Sequence, residues 1–200
     1  MPKPNLHLIT NYRRTKDAFQ KGNVFCALDT ETTGLSTQTS RLIELSAIKF
    51  TKDCILESFS TLINPCCPIL EKITDITGIK DADVKNAPIA EKVIPEFKKF
   101  CQDTILVAHN AQFDLRFINM ESEKLGLEPL TNFAVDTLRL SRILLPENGT
   151  WKQAKLAEQF KIRVEHAHRA QDDTRVCMEL FKKLIELPLP TKKKRKPKND

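Results

Sequence analysis

Apolar residues run unbroken from Val24 to Leu28 and stop at Asp29; Glu31 follows, and Gly34 closes the stretch. A short apolar run bounded by polar residues and Gly predicts a buried strand. Leu42 to Phe50 alternates instead, with Ile43, Leu45 and Ala47 on one face and Glu44 and Ser46 on the other, which predicts a second strand. Thr51-Lys52-Asp53 reads as a turn, and Ile55 to Ile63 as a third strand, antiparallel to the second and ended by Asn64-Pro65. Thr77-Gly78-Ile79 falls in a loop or short helical stretch. Asn86-Ala87-Pro88 marks a helix start, since Pro is tolerated in a first turn. Ile89, Val93, Phe97 and Phe100 give that helix an apolar stripe, which Pro95 is expected to kink or split.

A second apolar run, Ile105 to Ala108, leads into a helix expected from about Gln112 to Leu125. Asp114, Phe117, Ile118 and Leu125 share one face there, and Gly126 is its end signal. Val135 to Leu144 is a further ordered segment, Trp151 to Phe160 reads as a helix, and the final helix spans about Ala170 to Glu186. Residues 1–21 carry two Pro, mixed charge and little periodicity, and read as an N-terminal extension. The pattern predicts an α/β domain over residues 22–187, then a basic, disordered tail over 188–200.

The net charge of +6 would suggest a basic fold, but the tail supplies most of it. Residues 191–200 hold six Lys or Arg and one Asp, which leaves 26 basic against 25 acidic residues in 1–190. The Lys192 to Lys198 run suits weak contact with nucleic-acid phosphates, or a nuclear import signal. The six cysteines form no C-x-x-C pair and read as reduced thiols, Cys26 and Cys177 as small core residues. No segment has the ~18 apolar residues needed to cross a bilayer, and no secretory apolar core opens the chain. A cytoplasmic protein without a membrane partner is the expectation.

The chemistry gathers at three places. Asp29 and Glu31 are two apart on a strand, so both point to one face. Taken alone this could be a strand ending in an acidic turn. Two neighbouring carboxylates at the end of a buried strand repel, however, and a cation such as Mg²⁺ or Mn²⁺ would relieve them. Asp114 lies at the start of the helix after the second apolar run, and Asp172 and Asp173 open the last helix. From Asp173, the positions three, four, seven, eight and eleven ahead are Val176, Cys177, Leu180, Phe181 and Leu184, all apolar. Asp173 therefore sits on the core-facing stripe and needs a partner. From Asp172 the corresponding neighbours include Arg175 and Glu179, so Asp172 reads as a solvated first-turn acid favoured by the helix dipole.

Asp29-Thr30-Glu31-Thr32-Thr33-Gly34-Leu35, His109-Asn110-Ala111-Gln112-Phe113-Asp114 and His168-Arg169-Ala170-Gln171-Asp172-Asp173, in this order, resemble the three motifs of the DEDD exonucleases. The histidine of the third stretch resembles the His subgroup, DEDDh or DnaQ-like. Within it the likeness is to the epsilon-type proofreading exonuclease subunit of bacterial DNA polymerase III, over residues 22–187. The resemblance implies an RNase H-like fold, a mixed five-stranded sheet with helices on both faces. It also implies a 3′→5′ exonuclease acting on single-stranded 3′ ends of DNA and releasing nucleoside 5′-monophosphates. Asp29, Glu31, Asp114 and Asp173 would hold two divalent cations, Mg²⁺ or Mn²⁺, with His168 as general base. Gly34 and Leu35 would stand beside the terminal base, and Asn110 would hold a turn or a substrate phosphate.

Thr77 departs from the family, where many members have His. The same chemistry on RNA stays open, and a catalytically silent binding module is disfavoured because all five motif residues are intact. With no polymerase domain on the chain, a DNA polymerase subunit is the implied partner. Ile185-Glu186-Leu187-Pro188-Leu189, preceded by Leu184 where Gln is usual, resembles a sliding-clamp-binding peptide in an extended segment after the last helix.

Overall fold

The computed structural model describes residues 7–189. In chain order its elements are β1 (His7–Leu8), α1 (Tyr12–Gln20), β2 (Phe25–Thr32), β3 (Leu42–Phe50) and β4 (Ile55–Leu62), then α2 (Glu71–Thr77), α3 (Asp81–Val84), α4 (Ala90–Phe100) and β5 (Ile105–Ala108), and finally α5 (Ala111–Lys124), β6 (Phe133–Asp136), α6 (Thr137–Leu144), α7 (Gln153–Gln159) and α8 (Ala170–Glu186). The strands form one mixed sheet in the order β1-β6-β5-β2-β3-β4. β2, β3 and β4 pair antiparallel, as the alternation and the 51–53 turn predict. β5 pairs parallel with β2, and β6 parallel with β5, so the carboxyl ends of three strands lie at one edge, where open α/β sheets bind ligands.

Alternation along β2 assigns the two faces. Phe25 and Ala27 enter a core with α1, α6, α7 and α8, where Phe181 lies 5.1 Å from Phe25, 5.3 Å from Phe19 and 5.9 Å from Phe50 between ring centres. Cys26 and Leu28 enter a second core with Val93, Ile94 and Phe97 of α4 and Leu115, Phe117 and Ile118 of α5. Helices thus cover both faces, and the α/β, RNase H-like expectation holds.

Three local expectations need correction. The sheet has six strands and not five, because His7 and Leu8 pair in parallel with Phe133 and Ala134. Behind that strand, α1 is N-capped by the Asn11 side chain and buries Tyr12 and Phe19, so part of the expected extension is packed on the domain. A two-residue strand has no alternation to read. Second, α4 passes through Pro95 as one helix. Burial of Val93, Ile94, Phe97 and Phe100 against the sheet outweighs the one helical hydrogen bond that Pro removes. Third, Leu184 and Ile185 are helical and fully buried, and Leu187 packs partly against the same core. The Tyr12 hydroxyl donates to the Ile185 and Leu187 carbonyls and holds this end down. The basic tail from residue 190 onward lies outside the described residues. Gly78 and Gly126 take left-handed backbones after α2 and α5, where a Cβ would be strained. Among the described residues no helix is long and apolar enough to cross a membrane.

Candidate active site

The odd-numbered face of β2 carries Asp29 and Glu31 toward the start of α8, which presents Asp173. One carboxylate oxygen from each of the three lies within 4.8 Å of the others. Neither Asp29 nor Glu31 accepts a hydrogen bond from any described residue. Burial raises the Asp29 carboxyl well above its ordinary range, and the charges of Asp114, Asp173, Glu31 and Glu44 push it the same way. Burial and the charges of Asp173, Glu44 and Asp114 raise Glu31 to about 8, against some relief from Arg169. Burial also raises Asp173, although hydrogen bonds from the His168 amide and the Gln153 side chain oppose it. A cluster held above its normal ionisation range is one that a cation would stabilise. Its donors are all carboxylate oxygens, with no sulfur or imidazole, which suits a hard cation such as Mg²⁺ or Mn²⁺.

Asp114 stands beside this group and not within it. It rises from α5 on the opposite side of the sheet, buried, and its Oδ1 accepts from the Thr30 amide at 3.0 Å and the Thr30 hydroxyl at 2.8 Å. Thr30 is the even-numbered residue between the two strand acids, so the edge of β2 brings Asp114 near them from the other face. Burial raises the Asp114 carboxyl to about 7 while the Thr30 bonds pull it down. His168 precedes α8 with a left-handed backbone, φ +61°, and an exposed ring; its amide donates to Asp173 Oδ2 at 2.9 Å.

Asn110 is also left-handed, φ +69°, at the N-cap of α5, and its amide donates to Asp136 Oδ1 at 3.1 Å. Its side chain makes no cap bond and instead lines a groove of about 270 Å³ with Leu35, Gln38, Phe113 and Arg116. Leu35 is 87% exposed there. Gly34 is explained within the protein: a Cβ at this position would lie 2.7 Å from the Ser40 hydroxyl oxygen. Phe117 is buried in the core, while Phe113 is partly buried, and both line the groove.

Sequence reasoning missed the residues that hold the acids in place. Glu44, directly across from Glu31 on β3, is 3% exposed and accepts from Arg169 Nε at 3.1 Å, Arg169 Nη2 at 3.0 Å and the Ala170 amide at 2.9 Å. Gln153 of α7 reaches Asp173 Oδ1 at 3.1 Å. Only the polar position of Glu44 in a largely apolar strand signalled anything. The reading of Asp172 as solvated is corrected: it is 9% exposed, because the loop before α8 folds over it. Burial pushes its carboxyl up, but hydrogen bonds from the His166 amide, Arg175 and the Glu165 amide outweigh that and leave it below its ordinary value.

A family model described as exonuclease (RNase_T) matches residues 26–181. The chain is 43% identical over 162 residues to a DNA polymerase III PolC-type protein of Caldanaerobacter subterraneus, covering 81% of this chain but 12% of that one. It is 41% identical over 163 residues to a DNA polymerase III subunit epsilon of Treponema pallidum, covering 80% of this chain and 76% of the relative. A structure of exonuclease X with 5′-overhanging duplex DNA superposes with a TM-score of 0.67 at 27% identity, over 80% of this chain and 90% of that one. E. coli exonuclease I with a dT13 oligonucleotide shares the fold, with a TM-score of 0.74 at 18% identity over 82% of this chain and 41% of the other.

Proposed function

This chain belongs to the exonuclease family, and on that premise we propose that it removes nucleotides stepwise from the 3′ end of DNA, in proofreading beside a DNA polymerase. The convergence of the Asp29, Glu31 and Asp173 oxygens within 4.8 Å carries the reading. The relative that is a polymerase III epsilon subunit supports the polymerase partner, and the DNA held by exonuclease X supports the substrate. A cytoplasmic location accords with a replication role.

Asp29, Glu31 and Asp173 would hold two divalent cations, Mg²⁺ or Mn²⁺, with Asp114 contributing from the other side of the sheet edge. When bound, such ions acidify an attacking water and stabilise charge on the departing 3′ oxygen. His168 accepts the proton of that water, with its backbone fixed by Asp173. Leu35 and the backbone at Gly34 contact the terminal base, and Asn110 and Phe113 line the path of the strand. Contact with a sliding clamp through 184–189 would require Leu184 and Ile185 to leave the core, so we assign the interaction to the polymerase and not to a clamp.

The test is digestion of single-stranded DNA labelled at either end, with RNA of the same sequence in parallel, in Mg²⁺ and then in EDTA. Mononucleotides should come first from the 3′-labelled DNA, and EDTA should stop their release. Faster loss of RNA would move the enzyme to RNA trimming. Binding without cleavage in Mg²⁺ and in Mn²⁺ would leave a silent binding module.

A further inference from the structure

The segment between α7 and α8 carries His168 but has no helix or strand of its own from Arg163 to Arg169. No amide from Arg163 to His168 donates to a backbone carbonyl, and the chain turns at Ala167 and His168. An exposed loop without fixed hydrogen bonds would be free to sample many conformations. Here carboxylates supply the partners. Asp172 Oδ2 accepts from the Glu165 amide at 2.7 Å and the His166 amide at 2.9 Å, and Asp173 Oδ2 accepts from the His168 amide. Arg175, one turn along α8, donates to Asp172 Oδ1 from Nε at 3.0 Å and Nη2 at 2.7 Å. The same guanidinium reaches the Arg163 carbonyl and Glu179 Oε1. Asp172 and Arg175 thus bind both ends of the stretch that precedes His168, while the histidine itself keeps the left-handed backbone that costs a non-glycine residue energy unless its surroundings impose it.

We propose that Asp172, braced by Arg175, is a positioning residue: it latches the 163–168 loop and thereby sets where the His168 ring stands. The inference rests on His168 being the general base for its effect on turnover, but the latch itself can be read without catalysis. It makes no contact with the cluster of Asp29, Glu31 and Asp173 through a shared oxygen, so metal binding and the latch should separate.

The full chain with Asp172→Ala, Asp172→Asn or His168→Ala is compared with wild type. The first readout is the His168 ring signal in carbon–proton correlation spectra in EDTA, assigned by its loss in His168→Ala. The second is kcat and KM on 3′-labelled single-stranded DNA in Mg²⁺, and the third is calorimetric Mn²⁺ binding. Asp172→Ala should shift or broaden the His168 signal. It should also lower kcat by about 10-fold or more, short of the loss in His168→Ala and within the ~10²–10⁴-fold that a general base contributes. KM and Mn²⁺ affinity should stay close to wild type. Asp172→Asn keeps an oxygen for the Glu165 and His166 amides and should recover much of kcat. An unmoved His168 signal in Asp172→Ala overturns the proposal, as does wild-type kcat in that variant beside an inactive His168→Ala. A kcat loss matched by equal loss of Mn²⁺ affinity and not recovered by Asp172→Asn overturns it in favour of a merely structural acid. Were His168→Ala to keep full turnover, the general-base assignment would fall, while the ring signal would still decide the latch.

Discussion

With divalent metal chelated, the folded protein should lose stability as the pH rises from about 5 to 8, which is opposite to the usual behaviour of paired carboxylates. Glu31 stands near 8 against its ordinary 4.5, through burial first and then the charges of Asp173, Glu44 and Asp114. Across that range the folded chain keeps a proton on Glu31 that the unfolded chain has released. Stability from this group is therefore fully present below about 4.5 and lost as the pH climbs through about 8. At 1.36 kcal/mol per pKa unit the gap amounts to about 5 kcal/mol for a fully buried group. Solvent reaching the partly exposed carboxyl screens part of it, leaving about 3 kcal/mol. For a domain of this size 1 kcal/mol moves the midpoint by about 2–4 °C, so a fall of about 6–12 °C is expected. Asp29 and Asp173, also raised, act with the same sign. His109 acts oppositely, since burial lowers it from 6.5, so the wild-type slope is a sum. Calorimetry of wild type and Glu31→Gln in EDTA isolates the Glu31 part: the variant should be flatter and more stable at the upper end. Adding Mg²⁺ at the upper end should raise the wild-type midpoint and the variant's less. A wild-type midpoint that rises toward pH 8 with the same slope in Glu31→Gln would refute the account of the cluster.

Asp173→Ala and Asp29→Ala should each abolish Mg²⁺-dependent degradation, while metal-free melting holds or rises because a like charge has gone; an active Asp173→Ala enzyme would remove that residue from the site. His168→Ala should lower turnover by about 10²–10⁴-fold with little change in Mn²⁺ affinity by calorimetry, and equal losses of both would make it a ligand instead. Phe181→Ala should cost about 3–5 kcal/mol in denaturant unfolding, because its ring packs against three others at the centre of the α8 core.

The parts of the fold that were legible are those whose signal lies in consecutive residues. The apolar run into Asp29, the alternation of Leu42 to Phe50, and the stripe from Val176 to Leu184 each record burial against the sheet, so their elements could be placed to within a residue or two. Asp173 was separable from Asp172 by helical phase for the same reason. What phase could not supply was tertiary cover. Asp172 shares its side of α8 with Arg175 and Glu179, a pattern that reads as solvated, yet the loop from Arg163 to His168 closes over it. Strand β1 was hidden because two residues leave no period to detect, whereas α1 does bury Tyr12, Thr15 and Phe19 at helical spacing, a short signal that the surrounding charged residues and prolines masked. Pro95 does not split α4: a single lost backbone bond does not break a helix whose apolar face is docked on the sheet.

Five acids, Asp29, Glu31, Glu44, Asp114 and Asp173, crowd one end of the sheet, and Arg169 is the cation bonded among them. Glu44 and Asp114 are the most buried of the five, and their hydrogen bonds set them apart as well. Glu44 spends its oxygens on Arg169 and the Ala170 amide, and Asp114 gives one oxygen wholly to Thr30. Those contacts fix the start of α8 and the edge of β2, and the Thr30 bonds leave the second oxygen of Asp114 out. Asp29 and Glu31 accept nothing from the described residues, while Asp173 accepts from Gln153 on Oδ1 and from the His168 amide on Oδ2. Carboxyl oxygens without a protein partner call for an explanation, which the proposed cations would supply. Glu31 and Glu44 pair across β2 and β3 and are both glutamates in apolar strands, yet Arg169, 125 residues from Glu44 along the chain, bonds Glu44 and leaves Glu31 without a hydrogen bond.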